Sequence, residues 1–140
     1  MSILQTQTTS FKAELYQAIH NLLTDTLKVA LYTGNATLDE STTAYSTTNE
    51  ITGTGYTAGG VTLTGVSVNS SGYTAYVSFN NPSWTSASFT TRAALIYNST
   101  QSNRSIVVLD FGSDKTVSGN TFTITLPTNN ASDALIRSSN

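Results

Sequence analysis

The sequence predicts an all-β protein, a jelly-roll-like two-sheet β-sandwich with one N-terminal α-helix and an extended N-terminal arm. Nearly a third of the residues are Thr or Ser, and Thr is β-branched and suits a pleated, half-solvated surface. From residue 27 onwards, apolar and polar residues alternate in short runs that are separated by turn sequences. A length of 140 residues is that of one domain with one core, so we expect residues 1–140 to fold as a single unit.

The first part of the chain is predicted to be an arm followed by a helix. Residues 1–9 are polar after Ile3 and Leu4 and show no periodicity, which indicates an extended arm. Residues 10–23 carry apolar side chains at helical spacing, and Ser10 stands where an N-cap is expected. The predicted apolar stripe of this helix consists of Phe11, Leu15, Ala18, Ile19 and Leu22.

The β-sandwich is predicted to take up residues 27–137. Residues 27–32 alternate with a period of two and form its first predicted strand. The polar segment that follows, residues 35–60, is too long for an ordinary connection, so we expect an ordered functional loop or a flap that binds a partner. Its glycines, from Gly53 to Gly60, fit loop geometry rather than a dinucleotide-binding loop, because no predicted strand precedes them and no helix follows.

Turn sequences divide the second half of the chain into runs of strand character. Residues 61–68 change the parity of their apolar positions at Gly65, as a bulge or bend requires, and are predicted to form a hairpin with residues 73–79. Residues 106–111 are apolar at consecutive positions, so we expect them in the centre of a sheet, with a turn at residues 112–115. Three further strands are predicted at residues 93–97, 121–126 and 134–137.

Composition argues against several classes of function. The net charge of −2 and the pI near 5.0 provide no basic field for phosphate groups, so we expect no nucleic-acid partner, and no attraction to membranes is indicated. The chain has no cysteine, which excludes a disulfide scaffold and thiolate metal sites. The charged fraction of 10% leaves little repulsion between copies and indicates an assembled state. The first residues lack the features of a signal peptide, so we expect synthesis in a cytoplasm.

Residues that usually carry out catalysis are scarce. His20 is the single histidine, and it is expected to be structural because it lies beside the apolar stripe. Two pairs of carboxylates are candidates for acid–base chemistry, Asp39 with Glu40 and Asp110 with Asp114. Asp39 and Glu40 point apart in an extended chain, and Asp114 falls in a predicted turn. We therefore expect no catalytic, cofactor-binding or metal-binding residues and predict that the protein is not an enzyme.

Aromatic and cationic side chains are the better candidates for contact with a partner. Tyrosine offers a large contact area at low entropic cost, and arginine makes bidentate contacts with carboxylates. Tyr73 and Trp84 lie in or next to predicted strands and are assigned to the core. The candidate contact residues are Ile3 and Leu4 of the arm, Tyr45 and Tyr56 of the polar loop, and Arg92 and Arg104 beside predicted strands.

Six segments of the sequence, in this order along the chain, resemble those of a known family. They are Asp25-Thr-Leu-Lys28-Val-Ala-Leu-Tyr32, Thr43-Ala-Tyr45, Asn49-Glu50-Ile51, Gly53-Thr-Gly55-Tyr56-Thr-Ala-Gly59-Gly60, Arg92-Ala-Ala-Leu-Ile-Tyr97-Asn98 and Leu109-Asp-Phe-Gly112. Together they resemble the small virion proteins of tailed bacteriophages that act as capsid cement, or decoration, proteins. The likeness covers residues 11–137, and the Tyr/Gly pattern of residues 43–60 is its most specific part.

The resemblance implies a fold, a location and a partner. Such proteins are jelly-roll-like β-sandwiches that bind the outside of an icosahedral shell, contact neighbouring major capsid subunits and themselves pair or trimerise. The resemblance supplies no catalytic residues, and no motif fixes the contact residues. We therefore expect a virion protein on the capsid exterior that binds the major capsid protein and forms a homodimer, with a homotrimer as the alternative.

A second class of function fits the same sequence. Exposed aromatic side chains stack on sugar rings, so a module of a tail or head fibre that binds glycans of the host surface is the alternative to a cement protein. A cement protein is expected to bind purified shells and to ignore cells, whereas a fibre module is expected to bind cells.

Overall fold

The computed structural model describes residues 2–139, and it shows an all-β fold of two antiparallel sheets with one short helix, which confirms the predicted fold class. Within these residues there are eight strands and one helix. They follow in the order β1 (Thr6–Gln7), α1 (Thr9–Tyr16), β2 (Leu27–Tyr32), β3 (Val61–Thr62), β4 (Ser67–Ser71), β5 (Thr74–Ser78), β6 (Ser83–Asn98), β7 (Arg104–Thr123) and β8 (Ile136–Ser138).

The larger sheet has five strands in the order β1-β7-β6-β2-β3, and the smaller has three in the order β4-β5-β8. β6 and β7 form a long hairpin in the middle of the larger sheet. All residues of β2 pair with β6. As predicted, residues 106–111 lie inside a sheet, since β7 runs between β1 and β6. The predicted turn at residues 112–115 is wrong, because β7 continues through it with a bulge and ends only at Thr123.

The larger sheet is buried on both faces where β2, β6 and β7 meet. Leu27, Val29 and Leu31 point to the core that the two sheets share, which also receives residues of β5 and β8. Ala30 and Tyr32 point to the opposite face, where a second apolar cluster lies beneath the N-terminal arm and the long loop. Two buried faces explain why apolar residues occupy consecutive positions in these strands.

The N-terminal arm is extended, as predicted, and it pairs with the chain's own sheet. Thr6 lies opposite Val108 in the pairing of β1 with β7. The Leu4 amide donates a hydrogen bond to the Leu38 carbonyl at 2.9 Å, and Ile3 packs against the second apolar cluster. The arm therefore covers the edge of its own larger sheet.

The helix is shorter than the sequence predicted. Residues 10–23 were expected to be helical, but α1 ends at Tyr16 because Ala18 adopts a left-handed conformation with φ of 58°, which reverses the chain. The N-cap is Thr8 rather than Ser10, and its hydroxyl accepts a hydrogen bond from the Phe11 amide. The later apolar residues of the predicted stripe lie beyond the end of α1, outside the helix.

The strand pairing after the long loop also differs from the prediction. The expected hairpin of residues 61–68 with residues 73–79 is only partly formed, since β4 and β5 pair around a turn at Gly72. Val61 and Thr62 instead form β3, which pairs with β2 in the larger sheet. The bend predicted at Gly65 marks the place where the chain passes from one sheet to the other, and its φ is 66°.

The two aromatic residues assigned to the core have different environments. Trp84 is 3% exposed and belongs to the shared core, as predicted. Tyr73 is 90% exposed at the tip of the β4–β5 hairpin, so the prediction for this residue is wrong. It follows Gly72 directly and occupies the turn itself, where no facing sheet covers it.

Candidate functional site

The long loop between β2 and β3 is ordered and lies against the larger sheet. Backbone bridges pair Ala44 with Arg104 and Thr54 with Ser88, so the loop is attached to both strands of the β6–β7 hairpin. Glycines permit its close approach to the sheet. At Gly60, where φ is 81°, a Cβ atom would lie 1.6 Å from the Val29 carbonyl oxygen.

Glu50 holds this loop together through its carboxylate. One oxygen accepts a hydrogen bond from the Tyr45 hydroxyl at 2.7 Å. The other accepts a hydrogen bond from the Tyr56 hydroxyl and one from the Gly59 amide, the latter at 2.8 Å. Charge-assisted hydrogen bonds of this kind are about twice as strong as neutral ones. A single carboxylate therefore connects three separate positions of the loop.

Four tyrosines lie around Glu50, of which Tyr32 and Tyr97 are buried and Tyr45 and Tyr56 are half-buried. Burial, together with the negative charge of Glu50, raises the pKa of Tyr97 to about 12. Burial also raises the pKa of Tyr32, Tyr45 and Tyr56 well above the usual range of a phenol. Their hydroxyls thus remain hydrogen-bond donors at every physiological pH.

Tyr45 and Tyr56, predicted to contact a partner, have structural roles here. The ring of Tyr45 stacks on that of Tyr97 with centroids 4.6 Å apart, and Tyr56 makes an edge contact with Phe89. Both side chains are half-buried, and both hydroxyls are bound to Glu50. Their rings are therefore committed to packing within the chain.

Arg104, another predicted contact residue, belongs to a partly buried polar network. Its guanidinium donates to one oxygen of Glu14 at 2.8 Å, and His20 Nε2 lies 2.8 Å from the other. The side-chain amide of Asn98 donates to His20 Nδ1 at 3.0 Å and to Asp25 at 2.8 Å. Because Nδ1 accepts a hydrogen bond, Nε2 carries the ring hydrogen that is donated to Glu14. This network fixes the turn after α1 on the end of β6, and His20 is structural, as predicted.

The remaining predicted contact residues lie apart from one another. Arg92 is about 20 Å along β6 from the Arg104 end, since six residues of a strand span that distance, and it faces Asp110 and Asp114 at 4.0 and 3.9 Å. Ile3 is partly buried, whereas Leu4 is 49% exposed. The six predicted residues therefore do not form one surface.

An apolar groove between the α1 region and the smaller sheet was not predicted. We call it the α1 groove; its volume is about 420 Å³. Three of its side chains are unusually exposed for apolar residues, with Leu15 at 39%, Leu23 at 59% and Val68 at 51%. The sequence placed Leu15 in the apolar stripe of the predicted helix, and nothing in the local pattern shows that the smaller sheet stops short of the helix. The groove is lined chiefly by Phe11, Leu15, Leu22, Leu23, Val68, Val77 and Ile136.

One end of the α1 groove opens into a more polar hollow of about 510 Å³. The two share Leu15, Arg137 and Ser138, and the hollow adds Lys12 and Tyr16. Within residues 2–139, neither Lys12 nor Arg137 forms an ion pair. No acidic side chain lines the groove or the hollow. This region is thus apolar with a basic end, on a protein whose net charge is −2.

Two general observations apply to the part of the chain that the structure describes. Residues 2–139 contain no group of three or more His, Cys, Asp or Glu side chains placed to hold a metal ion. No helix in that range has the length and apolar character needed to cross a bilayer.

Comparison of the chain with family models, with curated proteins and with solved structures finds no match.

Proposed function

We propose that this protein is a structural component of a phage virion, a cement protein that binds the outside of an icosahedral shell and clamps neighbouring major capsid subunits. The sequence resemblance covers residues 11–137, and a two-sheet β-sandwich is the fold which that resemblance implies. A cement protein gains its effect by repetition, because each copy that bridges two subunits makes its second contact at high effective concentration.

The observation that carries the proposal is the exposed apolar surface of the α1 groove. Monomeric proteins seldom leave a contiguous apolar patch uncovered, and such patches mark interaction sites. Leu15, Leu23 and Val68 lie together there instead of scattered over the surface. The N-terminal arm is occupied by its own sheet, so the proposal assigns the shell contact to the groove rather than to the arm.

The proposal also includes self-association as a homodimer, through the free edge of β4. The β4–β5 hairpin, residues 67–78, has no charged residue, and no strand pairs with the outer edge of β4 within residues 2–139. A second free edge, that of β7 beyond residue 110, carries Asp114, Lys115 and bulges at left-handed glycines, which are features that oppose edge pairing. The edge of β4 lacks these features and is the better site for an antiparallel contact with a second copy.

A direct binding experiment tests the proposed function. Purified shells that lack the protein are mixed with increasing amounts of it and sedimented, and the bound fraction is measured. Saturable binding with a fixed number of copies per shell is expected. Protein that stays in the supernatant at all concentrations would refute the proposal.

Two exposed tyrosines keep glycan binding as a second candidate. Tyr16 and Tyr73 are 94% and 90% exposed, and such rings are suited to stacking on sugars. A glycan array and a cell-binding assay with the purified protein separate the two candidates. A cement protein is expected to give no signal in either assay, whereas a fibre module binds at least one glycan and loses it in Tyr16→Ala or Tyr73→Ala.

A further inference from the structure

The α1 groove differs from the rest of the surface in both polarity and charge. Its floor is formed by buried core residues, and its rim by exposed apolar residues, among them Leu15 and Leu23. Removing such side chains from water is favourable by roughly 25 cal/mol for each Å² of apolar surface, so a bound apolar segment is stabilised there.

Charge identifies the chemistry of the occupant. Arg137 lies where the groove meets the polar hollow and Lys12 lines the hollow, and no carboxylate in residues 2–139 pairs with either of them. Arg92 and Arg104, by contrast, face carboxylates of their own chain. Cations that are free beside an apolar floor attract a segment in which apolar residues are flanked by Asp or Glu.

The second copy of this chain is the less suitable occupant of the groove. The β4 edge proposed for dimerisation is formed by backbone groups, whereas the groove is lined by side chains of the face that looks towards α1. Within residues 2–139, the large exposed apolar side chains outside the groove are Leu4, Tyr16 and Tyr73. Neither Leu4 nor Tyr73 has an acidic residue beside it in the sequence, and Glu14, which is near Tyr16, is bound to Arg104 and His20. The described part of the chain thus presents no exposed segment of the kind that the groove favours.

We infer that the α1 groove binds an acidic, apolar segment of the shell protein, with its apolar side chains against Leu15, Leu23 and Val68 and its carboxylates beside Lys12 and Arg137. This inference rests on the proposed function for the identity of the partner. The chemistry of the segment follows from the groove itself.

The test compares charge reversals in and away from the groove. Lys12→Glu and Arg137→Glu are measured for binding to purified shells by sedimentation, with Lys115→Glu on the exposed part of β7 as a control that changes the net charge equally. Each groove variant is expected to bind about tenfold more weakly and Lys115→Glu to bind as the wild type does. Equal binding by all four proteins, or equal losses in all three variants, would overturn the inference.

An apolar pair of variants tests the floor of the groove independently. Leu23→Ser and Leu4→Ser remove exposed leucines inside and outside the groove, and thermal unfolding verifies that each folds. Loss of shell binding in Leu23→Ser alone supports the inference; loss in Leu4→Ser alone assigns the contact to the arm and overturns it. A change of solution mass in Leu23→Ser without shells would identify a second copy as the occupant and also overturn it. If the wild type itself does not bind shells, the proposed function fails, and the partner named here fails with it.

Discussion

At the residue scale, Glu50 determines whether the long loop stays on the sheet. It accepts hydrogen bonds from Tyr45, Tyr56 and Gly59, and all three donors would be left without this acceptor if the carboxylate were lost. In Glu50→Gln an NH₂ group, which is a donor, replaces one carboxylate oxygen, so it would face a hydrogen-bond donor and could not accept from it. We expect the free energy of unfolding to fall by about 2 kcal/mol, measured by urea denaturation.

The control for this prediction is Glu40→Gln. Glu40 is an exposed glutamate in the same loop, so its substitution makes the same change in charge. Glu40→Gln is expected to change the free energy of unfolding by less than about 0.5 kcal/mol. Equal effects of the two substitutions would show that charge, rather than the hydrogen bonds of Glu50, accounts for the loss.

The buried tyrosines predict a loss of stability in alkali. The folded-state pKa of Tyr97 is about 12, above the ordinary value of 10.0, so the unfolded chain loses its phenolic proton first. The stabilisation is therefore complete below about pH 10 and is lost as the pH rises through about 12. Tyr97→Phe is expected to make the decline of unfolding free energy over this interval shallower. Identical pH profiles of the wild type and Tyr97→Phe would contradict the assignment.

Gly60 and Gly72 provide a matched pair, since both have positive φ and only Gly60 is crowded. Gly72→Ala is expected to cost about 1–2 kcal/mol from the left-handed backbone alone. Gly60→Ala adds a clash with the Val29 carbonyl and is expected to cost at least about 3 kcal/mol. Thermal unfolding of both variants measures the difference, and similar losses would show that the loop is not held against β2 at Gly60.

At the element scale, the edge of β4 is expected to form the dimer contact. An antiparallel pair with full overlap of the five residues places Asn69 opposite Asn69 of the second copy, with Cα atoms about 4.5–5.5 Å apart. That distance permits a disulfide, and the chain has no native cysteine to compete. Asn69→Cys is therefore expected to cross-link rapidly on mild oxidation.

Ser113→Cys, on the exposed edge of β7, is the control for cross-linking. It is expected to stay largely uncross-linked, because the charges and bulges of that edge oppose pairing. The solution mass of the wild type is expected to be that of a dimer and to change little between low and moderate salt. Equal cross-linking of both variants, together with a monomeric mass, would contradict dimerisation through β4.

Alternation along the chain predicted the central strands of the larger sheet, and it failed where backbone geometry decides. The period of two in residues 27–32 predicts β2, and the apolar run at residues 106–111 predicts the middle of β7. Both succeed because the burial of a side chain in a strand follows from the local order of apolar and polar residues. The end of α1 at Tyr16 depends on a left-handed Ala18, a conformation that alanine seldom adopts and no pattern signals. Likewise, Gly112 suggests a turn by composition but forms a bulge.

The proposed binding surface was less predictable than the fold, for a physical reason. Tyr45 and Tyr56 remain predicted contact residues, but the sequence does not show that their hydroxyls bind Glu50 of the same loop, which only folding reveals. The α1 groove is formed by residues far apart in sequence, such as Leu23 and Val68, at the place where two elements fail to meet. Local periodicity carries no information about such a gap.

At the scale of the whole molecule, a small β-sandwich with few charges, an uncharged free edge and one apolar groove suits repeated binding on a large lattice. Each contact can be weak, because a dimer that engages two subunits gains its second contact at high effective concentration. Pairing through β4 uses its backbone groups and binding in the α1 groove uses side chains, Val68 of β4 among them, so the proposal has the two contacts side by side at this strand.

The number of copies in a purified virion tests this account most directly. Quantitative mass spectrometry against the major capsid protein, with imaging of the particle, gives both the number and the position. We expect on the order of hundreds of copies spread over the outside of the shell, in a fixed ratio to the capsid subunits. A count on the order of a dozen or fewer, confined to the neck or tail, would contradict it.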